Sequence, residues 1–250
     1  MKSLLIAIYS KFKKLGRFFL PSSVKQQLPA PKVGQIDFGD LRRLIPIDPN
    51  FGFPRGGVID RYYIEKFLSG YSHEIKGRVL EIGDNCYTKK FGGSKVVDSD
   101  VLHYVTGNSQ ATIVGDLSKA DHIPSNTFDC IILTQTLQMI YDTQSAIKHL
   151  YRILKPNGVL LVTSHGTSMV GRTLGVDDWG TYWRFTGQSM RIMFEDSFRA
   201  GNVHVATYGN VLTAAAFLYG LVTEDLTSTE LDFHDKRYEV IVGMKACKAL

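Results

Sequence analysis

The segment Arg78-Val-Leu-Glu-Ile-Gly-Asp84 places a short apolar strand before a glycine and an acid. The strand portion, Val79–Ile82, is apolar except for Glu81. Two longer apolar segments follow, Phe128-Asp-Cys-Ile-Ile-Leu133 and Leu154-Lys-Pro-Asn-Gly-Val-Leu-Leu-Val162. Apolar strands that alternate with helical segments are typical of a parallel α/β sheet. The segment therefore predicts the first strand of such a sheet.

The sequence on either side of this segment predicts the remaining strands and helices. Five strands joined by helical crossovers, followed by a terminal pair, predict one α/β sheet. In such a sheet, ligands bind at the carboxyl ends of the strands, where the strand order reverses. The predicted helices are Ile59–Ser69, Thr143–Leu154 and Val211–Leu221. The predicted strands are Val79–Ile82, Lys95–Val97, Ala111–Val114, Cys130–Leu133, Gly158–Thr163, Val203–Tyr208 and Tyr238–Met244.

Length and composition indicate one large globular domain, or one domain with an extension. The chain has 250 residues, of which 44% are hydrophobic and 21% charged, as in ordinary globular proteins. Its three cysteines, Cys86, Cys130 and Cys247, have no metal-binding spacing and leave an odd thiol. A reducing cytosol is the simplest setting for such cysteines. We predict a cytoplasmic protein without a metal site.

The positive charge is concentrated at the N-terminus. Residues 1–36 contain seven Lys or Arg and no Asp or Glu, whereas the rest carries 22 basic and 24 acidic residues. A nucleic-acid-binding body needs a basic patch. The nearly neutral body therefore argues against nucleic acid as a partner.

Residues 1–30 have the pattern of a basic amphipathic helix. Apolar residues recur at helical spacing and the lysines lie largely off that stripe. The apolar run Leu4–Tyr9 is too short to span a bilayer, and no signal-peptide cleavage site follows it. The helix either packs on its own domain, lies on the anionic inner face of the membrane, or binds a partner such as a glycosyltransferase. We divide the chain into this arm with its linker, 1–36, and a body, 37–250.

The loop after the first strand carries a resemblance to a known family. Class I S-adenosylmethionine-dependent methyltransferases have an acidic-x-Gly-x-Gly-x-Gly pattern here. This chain keeps Glu81 and Gly83 and has Asn85 and Tyr87 where further glycines are usual. A dinucleotide enzyme needs a glycine-rich turn for its pyrophosphate, but S-adenosylmethionine has no phosphate. The chain thus resembles a class I methyltransferase more than a dinucleotide enzyme.

The resemblance implies a fold, a cofactor and a division of the body. The fold is α/β and Rossmann-like, with a mostly parallel seven-stranded sheet, helices on both faces and an antiparallel last strand. The cofactor is S-adenosyl-L-methionine. The implied parts are a lid with N-terminal helices at 37–76, a cofactor-binding core at 77–166, and an acceptor region with the closing strands at 167–250.

Several polar residues near the strand ends are candidate cofactor contacts. Asp100 lies 17 residues after Gly83, near the position of a ribose-binding carboxylate, with Asp98 as its competitor. Asp116 could accept from the adenine amino group or cap the next helix, and Gln135 could contact a ligand or cap a helix. The predicted cofactor-binding residues are Glu81, Gly83, Asp84, Asn85, Tyr87, Asp100, Asp116, Leu117 and Gln135.

A narrower resemblance concerns the acceptor. Arg55–Glu65, the loop Glu-Ile-Gly-Asp-x-x-Tyr-Thr, Thr134–Gln138 and Asp178–Thr186 are together similar to bacterial methyltransferases associated with surface-polysaccharide or glycosyl-transfer pathways. The similarity spans about residues 45–245. It implies a small-molecule or glycan acceptor.

A sugar hydroxyl is a poor nucleophile at neutral pH, so its methylation needs a general base. His165 is the first candidate, since it follows a strand end and histidine is a common general base, and Asp178 is the second. The structural alternative for the histidine is packing in the core. Aromatic residues after the fifth strand would stack on a sugar ring or pack over the core. The predicted substrate-binding residues are Arg55, Arg61, Tyr63, Gln138, Trp179, Tyr182, Trp183 and Arg184.

The leading functional prediction is O-methylation of a sugar hydroxyl in a glycan or glycolipid precursor, by in-line methyl transfer. A lipid-like or natural-product acceptor is the enzymatic alternative. A non-catalytic assembly module in a glycan-synthesis complex is the alternative outside catalysis.

Overall fold

The computed structural model of the protein describes residues 30–171 and 180–250. The chain divides into two units, Met1–Leu44 and Ile45–Leu250. In the first unit the described residues contain a 3-10 turn, Gly39–Leu41. The predicted helix of the N-terminal arm lies outside the described residues.

The second unit is built on a seven-stranded sheet. Its order is β3-β2-β1-β4-β5-β7-β6, and β7 is antiparallel to both neighbours while the other pairs are parallel. This confirms the predicted mostly parallel Rossmann-like sheet. The strands are β1 Gly77–Ile82, β2 Val96–His103, β3 Ile113–Val114, β4 Phe128–Thr134, β5 Leu154–His165, β6 Val203–Tyr208 and β7 Ile241–Cys247.

All of the described α-helices except the first follow a residue whose side chain accepts a hydrogen bond from a free backbone N–H group. Asp142 accepts a hydrogen bond from the Ser145 N–H at 3.0 Å before the second helix, and Thr186 forms a capping box with Ser189 before the third. The helices are α1 Ile59–Gly70, α2 Thr143–Ile153, α3 Gly187–Phe198, α4 Val211–Leu218 and α5 Ser228–Asp232.

The sheet is buried on both faces, as the continuous apolar runs of its central strands predict. Alternate residues of a strand point to opposite faces. In β4, Ile131 and Leu133 belong to the cluster that contains the apolar residues of α2 and α3. Cys130 and Ile132 belong to the cluster formed with α1 and α4. Helices therefore cover both faces.

Two predictions about the sheet were wrong. The second strand extends to His103, so the acids that seemed to follow it lie inside it. The crossovers are also less helical than predicted. A π turn at Thr88–Gly92 and a 3-10 turn at Gly93–Lys95 connect β1 to β2, and residues 104–112 connect β2 to β3 without a helix. Adjacent glycines in the first connection disfavour a longer helix.

The topology places the strand-order reversal between β1 and β4. The chain runs outward from β1 through β2 to β3, then returns to β4 on the other side of β1. A crevice forms at the carboxyl ends of strands that flank such a reversal.

None of the helices in the described ranges is long and apolar enough to cross a membrane.

Candidate active site

A cleft of about 1010 Å³ opens at the carboxyl ends of the central strands. It has the size of a small-molecule site. Most predicted cofactor residues reach it, but only part of the predicted acceptor set does. The predicted residues that line it are Glu81, Gly83, Asp84, Tyr87, Asp116, Leu117, Gln135, Arg61, Gln138, His165 and Tyr182.

The loop after β1 is held by a buried carboxylate. Glu81 accepts hydrogen bonds from the backbone N–H of Tyr87 at 3.1 Å and of Thr88 at 2.7 Å. Burial raises the pKa of Glu81, and these two bonds oppose the rise. Glu81 therefore fixes the shape of the loop as well as lining the cleft.

Gly83 leaves β1 with φ +91°, a conformation that side chains disfavour. A Cβ added there would meet nothing within 4 Å. The Asn108 amide donates to the Gly83 carbonyl at 2.7 Å, and Asp84 accepts from the Cys86 N–H at 2.8 Å. The loop thus leaves open space beside an exposed backbone, which is the condition for close approach of a ligand.

Asp100 is not placed as predicted. It lies in the middle of β2, opposite Leu80, and does not line the cleft. Its carboxylate accepts from Arg78 Nε and from the Thr112 hydroxyl, both at 2.7 Å. Asn85, also predicted as a cofactor contact, lies outside the lining and donates to the Ser99 hydroxyl at 3.3 Å.

The acid after β3 caps the next turn and also lines the cleft. One oxygen of Asp116 accepts from the Ser118 N–H and from the Ser118 hydroxyl, both at 2.8 Å, so it caps the following turn. The residue also lines the cleft beside Leu117, whose side chain is buried. A polar acceptor next to an apolar surface suits a planar nitrogen base.

A hydrogen-bonded chain follows β4. Gln135 has φ +50°, and its side-chain oxygen accepts from the Gln138 amide at 3.0 Å. The Gln138 oxygen accepts from the Ser164 hydroxyl at 2.7 Å, and its backbone carbonyl accepts from the N–H of Tyr182 at 2.9 Å and of Trp183 at 3.2 Å. Gln138 is buried, so it holds the segment around Tyr182 against the end of β4.

His165 meets a carboxylate that the sequence did not reveal. Its Nε2 lies 3.3 Å from Oδ2 of Asp60, at the start of α1. Asp60 is only 5% exposed, and Arg61 lies 3.6 Å from the same oxygen. The imidazole stacks on Phe51, with 6.3 Å between ring centroids. Both His165 and Asp60 line the cleft, and an imidazole oriented by a carboxylate is a recurring general-base arrangement.

Asp60 lies within Arg55–Glu65, one of the segments that carry the narrower family resemblance. No residue spacing in the sequence predicts that it contacts His165. The two residues are 105 positions apart. The sequence signal that could have identified Asp60 was an acid at the second position of a predicted helix, after a segment rich in Pro and Gly. It would ordinarily be interpreted as a favourable contact with the helix dipole.

An aromatic rim lies at one side of the cleft. Tyr141 and Tyr182, both lining residues, meet edge to face at 5.4 Å, and Tyr141 stacks on Trp183 at 6.0 Å. Trp183 Nε1 donates to the Ile140 carbonyl at 3.0 Å. Tyr141 is 71% exposed and Tyr182 52%, so both offer ring surface to a ligand. Tyr141 was missed by the sequence analysis.

Other predicted acceptor residues are bound to the protein instead of lining the cleft. Arg55 pairs with Asp225 at 3.2 Å, and the buried Tyr63 hydroxyl donates to the Leu231 carbonyl at 2.8 Å. Arg184 donates to the Met169 and Trp183 carbonyls. Trp183 supports the rim without lining the cleft. Asp178 and Trp179 lie outside the described residues.

The residues at the strand ends fit S-adenosylmethionine, although two predicted contacts, Asp100 and Asn85, do not line the cleft. Gly83 and Asp84 leave room for a ligand beside β1, and Asp116 with Leu117 suits an adenine. Neither acid of β2, Asp98 or Asp100, lines the cleft. Within the described ranges, no group of three or more His, Cys, Asp or Glu could hold a metal ion.

Comparison with known proteins agrees with this geometry. Residues 85–162 match the family described as Methyltransferase domain. The matched stretch runs from the loop after β1 into β5. Together with the fold, it supports a class I methyltransferase whose cofactor is S-adenosylmethionine.

Curated relatives include quinone-pathway enzymes. The chain is 41% identical over 91 residues to a ubiquinone/menaquinone biosynthesis C-methyltransferase UbiE of Haemophilus ducreyi, covering 36% of this chain and 29% of the relative. It is 27% identical over 156 residues to the protein of that name from Klebsiella pneumoniae subsp. pneumoniae, covering 54% and 58%. The chain thus spans less than two thirds of the length of these relatives.

A solved structure supports the fold. The crystal structure of a SAM-dependent methyltransferase from Archaeoglobus fulgidus superposes with a TM-score of 0.50 at 14% identity, covering 75% of this chain and 94% of that one. At this identity the similarity concerns the fold alone.

Proposed function

We propose that this protein is an S-adenosylmethionine-dependent methyltransferase in which His165 is the general base for an acceptor hydroxyl. The observation that carries the proposal is the contact between His165 and Asp60 in the wall of a cleft at the strand-order reversal. The matched methyltransferase domain supports the reaction class.

The cleft residues have separate tasks in this proposal. When bound, S-adenosylmethionine supplies a methyl group on a positively charged sulfur, which makes the methyl carbon electrophilic. Gly83, Asp84, Asp116 and Leu117 hold the cofactor at the strand ends. Asp60 orients the imidazole of His165 so that the imidazole can take the hydroxyl proton.

We place the acceptor against the aromatic rim. Exposed Tyr rings provide flat apolar faces with a polar edge, which suits a sugar ring. A sugar hydroxyl of a glycan or glycolipid precursor is therefore our first candidate acceptor, and the resemblance of residues 45–245 to polysaccharide-associated methyltransferases supports it. Cytoplasmic location is part of the same proposal.

Methylation of a ring carbon is the second candidate, and the names of the curated relatives favour it. A hydroxylated aromatic ring becomes nucleophilic at carbon when its hydroxyl loses a proton. The same base therefore serves both candidates, and the same rim could stack on an aromatic acceptor.

Transfer of a labelled methyl group separates these candidates. The purified protein is incubated with labelled S-adenosylmethionine and either sugar acceptors or hydroxyaromatic acceptors, and the products are identified by mass spectrometry. An O-methyl sugar supports the first candidate and a C-methyl ring the second. Cofactor binding without transfer to any acceptor, together with a stable protein partner, would instead support the assembly-module alternative.

The N-terminal arm remains a separate proposal. We infer that residues 1–30 bring the protein to an anionic membrane surface or to a glycosyltransferase partner, since seven basic residues and no acids lie in 1–36. Deletion of residues 1–30 should abolish sedimentation with phosphatidylglycerol vesicles. Unchanged sedimentation would contradict membrane binding by the arm.

A further inference from the structure

Asp60 has one carboxylate oxygen without a partner. Oδ2 contacts His165 and Arg61, whereas Oδ1 is buried and forms no hydrogen bond within the described part of the chain. A buried polar atom in a native structure is usually hydrogen-bonded, and each exception calls for an explanation. Because Asp60 lines the cleft, a ligand can supply the missing donor.

The neighbouring groups restrict what that donor can be. The floor beside Asp60 is apolar and aromatic, since Phe51 stacks on both His165 and Phe217. The nearest cation, Arg61, already faces the other oxygen of Asp60. A neutral donor such as a hydroxyl needs no further counter-charge there, whereas an ammonium group would leave Arg61 beside a second cation.

His165 provides the second half of the arrangement. Its Nε2 faces Asp60, and its Nδ1 forms no hydrogen bond to any described residue. In the tautomer with a proton on Nε2, Nδ1 is an acceptor. Two acceptor atoms without a partner in the described part of the chain therefore belong to two contacting residues that both line the cleft.

We propose that the acceptor carries two adjacent hydroxyl groups, one of which gives its proton to His165 while the other donates a hydrogen bond to Oδ1 of Asp60. This inference rests on the proposed function and narrows its substrate class to a vicinal diol. In O-methylation an O–CH3 bond replaces the O–H bond, and the proton goes to His165. In C-methylation His165 takes the hydroxyl proton to form the phenolate, a C–CH3 bond forms at the ring carbon, and that carbon releases its own proton to solvent while the hydroxyl regains a proton from His165. In both cases the electron pair of the broken carbon–sulfur bond stays on sulfur.

Such a diol occurs in sugars and in catechol-type rings, and binding measurements distinguish these sources. The full chain, saturated with S-adenosylhomocysteine, is titrated by calorimetry with a sugar-ring diol and its mono-ol, cis-tetrahydropyran-3,4-diol and tetrahydropyran-4-ol, and with catechol and phenol. In at least one pair the diol should bind about tenfold or more tightly than its mono-ol, since sites built for a hydroxyl strongly reject analogues that lack it. Equal binding within both pairs would overturn the inference.

A variant of Asp60 tests the role of the residue. Asp60→Asn should reduce the diol preference to about twofold or less, while S-adenosylhomocysteine binding stays at the parental level. Asp232→Asn is the matched control, because it neutralises a carboxylate that pairs with Lys66 of the same helix and lies outside the cleft lining. If Asp60→Asn keeps the parental melting temperature and still prefers the diol over the mono-ol as the parent does, Asp60 is not the diol contact.

The outcomes separate this inference from the function on which it rests. Failure of the parent to bind S-adenosylhomocysteine contradicts the proposed function itself. Cofactor binding with no discrimination between diol and mono-ol contradicts only the vicinal-diol inference.

Discussion

The cofactor side and the acceptor side of the cleft are built in different ways. On the cofactor side, Gly83, Asp84, Asp116 and Gln135 each lie within two residues of the end of a parallel strand, so the sheet order determines their positions. On the acceptor side, Asp60 lies at a helix start, His165 at the end of β5, and the rim comes from two distant segments. The first side depends on topology, and the second depends on a few long-range contacts.

Loss of the base should give the largest effect and should affect only the acceptor side. His165→Ala should lower kcat by about 10²–10⁴, the usual contribution of general acid–base catalysis. S-adenosylhomocysteine should bind with unchanged affinity. Single-turnover kinetics and calorimetry measure the two quantities.

The control for this variant is His204→Ala, which changes an exposed histidine of β6 that does not line the cleft. It should leave kcat unchanged. An equal loss of activity in both variants would mean that the decrease comes from general destabilisation.

The loop glycine should give the largest effect on the cofactor side. Gly83→Arg should weaken cofactor binding by about a hundredfold or more, since a side chain at φ +91° is strained and would occupy the open space. Gly70→Arg, at the exposed end of α1 where no atom lies within 4 Å of an added Cβ, should bind the cofactor normally. Unimpaired binding by Gly83→Arg would place the cofactor elsewhere.

The two sides also differ in how far their structure followed from the sequence. The central strands were predicted because each is a continuous apolar run, and a strand buried on both faces leaves few alternatives. The short strand β3 and the helix-poor crossovers were predicted less well, because turns and glycines there do not specify the path. Asp100 was misplaced since the second strand was predicted to end before it.

The acceptor side was predicted in part. His165 was proposed from its position after a strand, but Asp60 was missed because nothing in a single sequence pairs residues 105 positions apart. Tyr141 was missed for the same reason, as its contact with Tyr182 bridges two loops. Arg55 and Tyr63 were placed at the acceptor, yet their partners, Asp225 and the Leu231 carbonyl, come from the last part of the chain.

A smaller effect is expected at the aromatic rim. Tyr182→Ala should raise KM for the acceptor by about two- to tenfold with little change in kcat, since an aromatic contact contributes about 0.5–1.5 kcal/mol. Tyr238→Ala removes an aromatic ring outside the cleft lining and should leave KM unchanged. A decrease in kcat alone would indicate that the rim orients the reacting group.

The smallest effect concerns the pH dependence of stability. Burial raises the pKa of Glu81 above its ordinary value of 4.5, so the folded state holds this proton more tightly than the unfolded state. Protonation of Glu81 therefore adds to the free energy of unfolding at low pH. This contribution is lost as the pH rises from about 4.5, the ordinary pKa, through the raised pKa of the folded state. Glu81→Gln should remove this loss in urea-unfolding measurements across about pH 4–7.

Asp129 provides a control of opposite sign. The Lys155 ammonium, at 2.7 Å, and the Arg78 N–H lower the pKa of Asp129. The ionised Asp129 carboxylate therefore adds to the free energy of unfolding above the ordinary aspartate pKa. This contribution is lost as the pH falls through the lowered pKa. Asp129→Asn should flatten the acid side of the profile, and the same response in both variants would contradict the assigned directions.

Calorimetric titration with S-adenosylmethionine and S-adenosylhomocysteine tests the central claim most directly. The account predicts micromolar binding to the parent, parental affinity in His165→Ala and binding weaker by about a hundredfold or more in Gly83→Arg. Absence of binding to the parent at millimolar ligand would contradict the cofactor site and the enzymatic function with it.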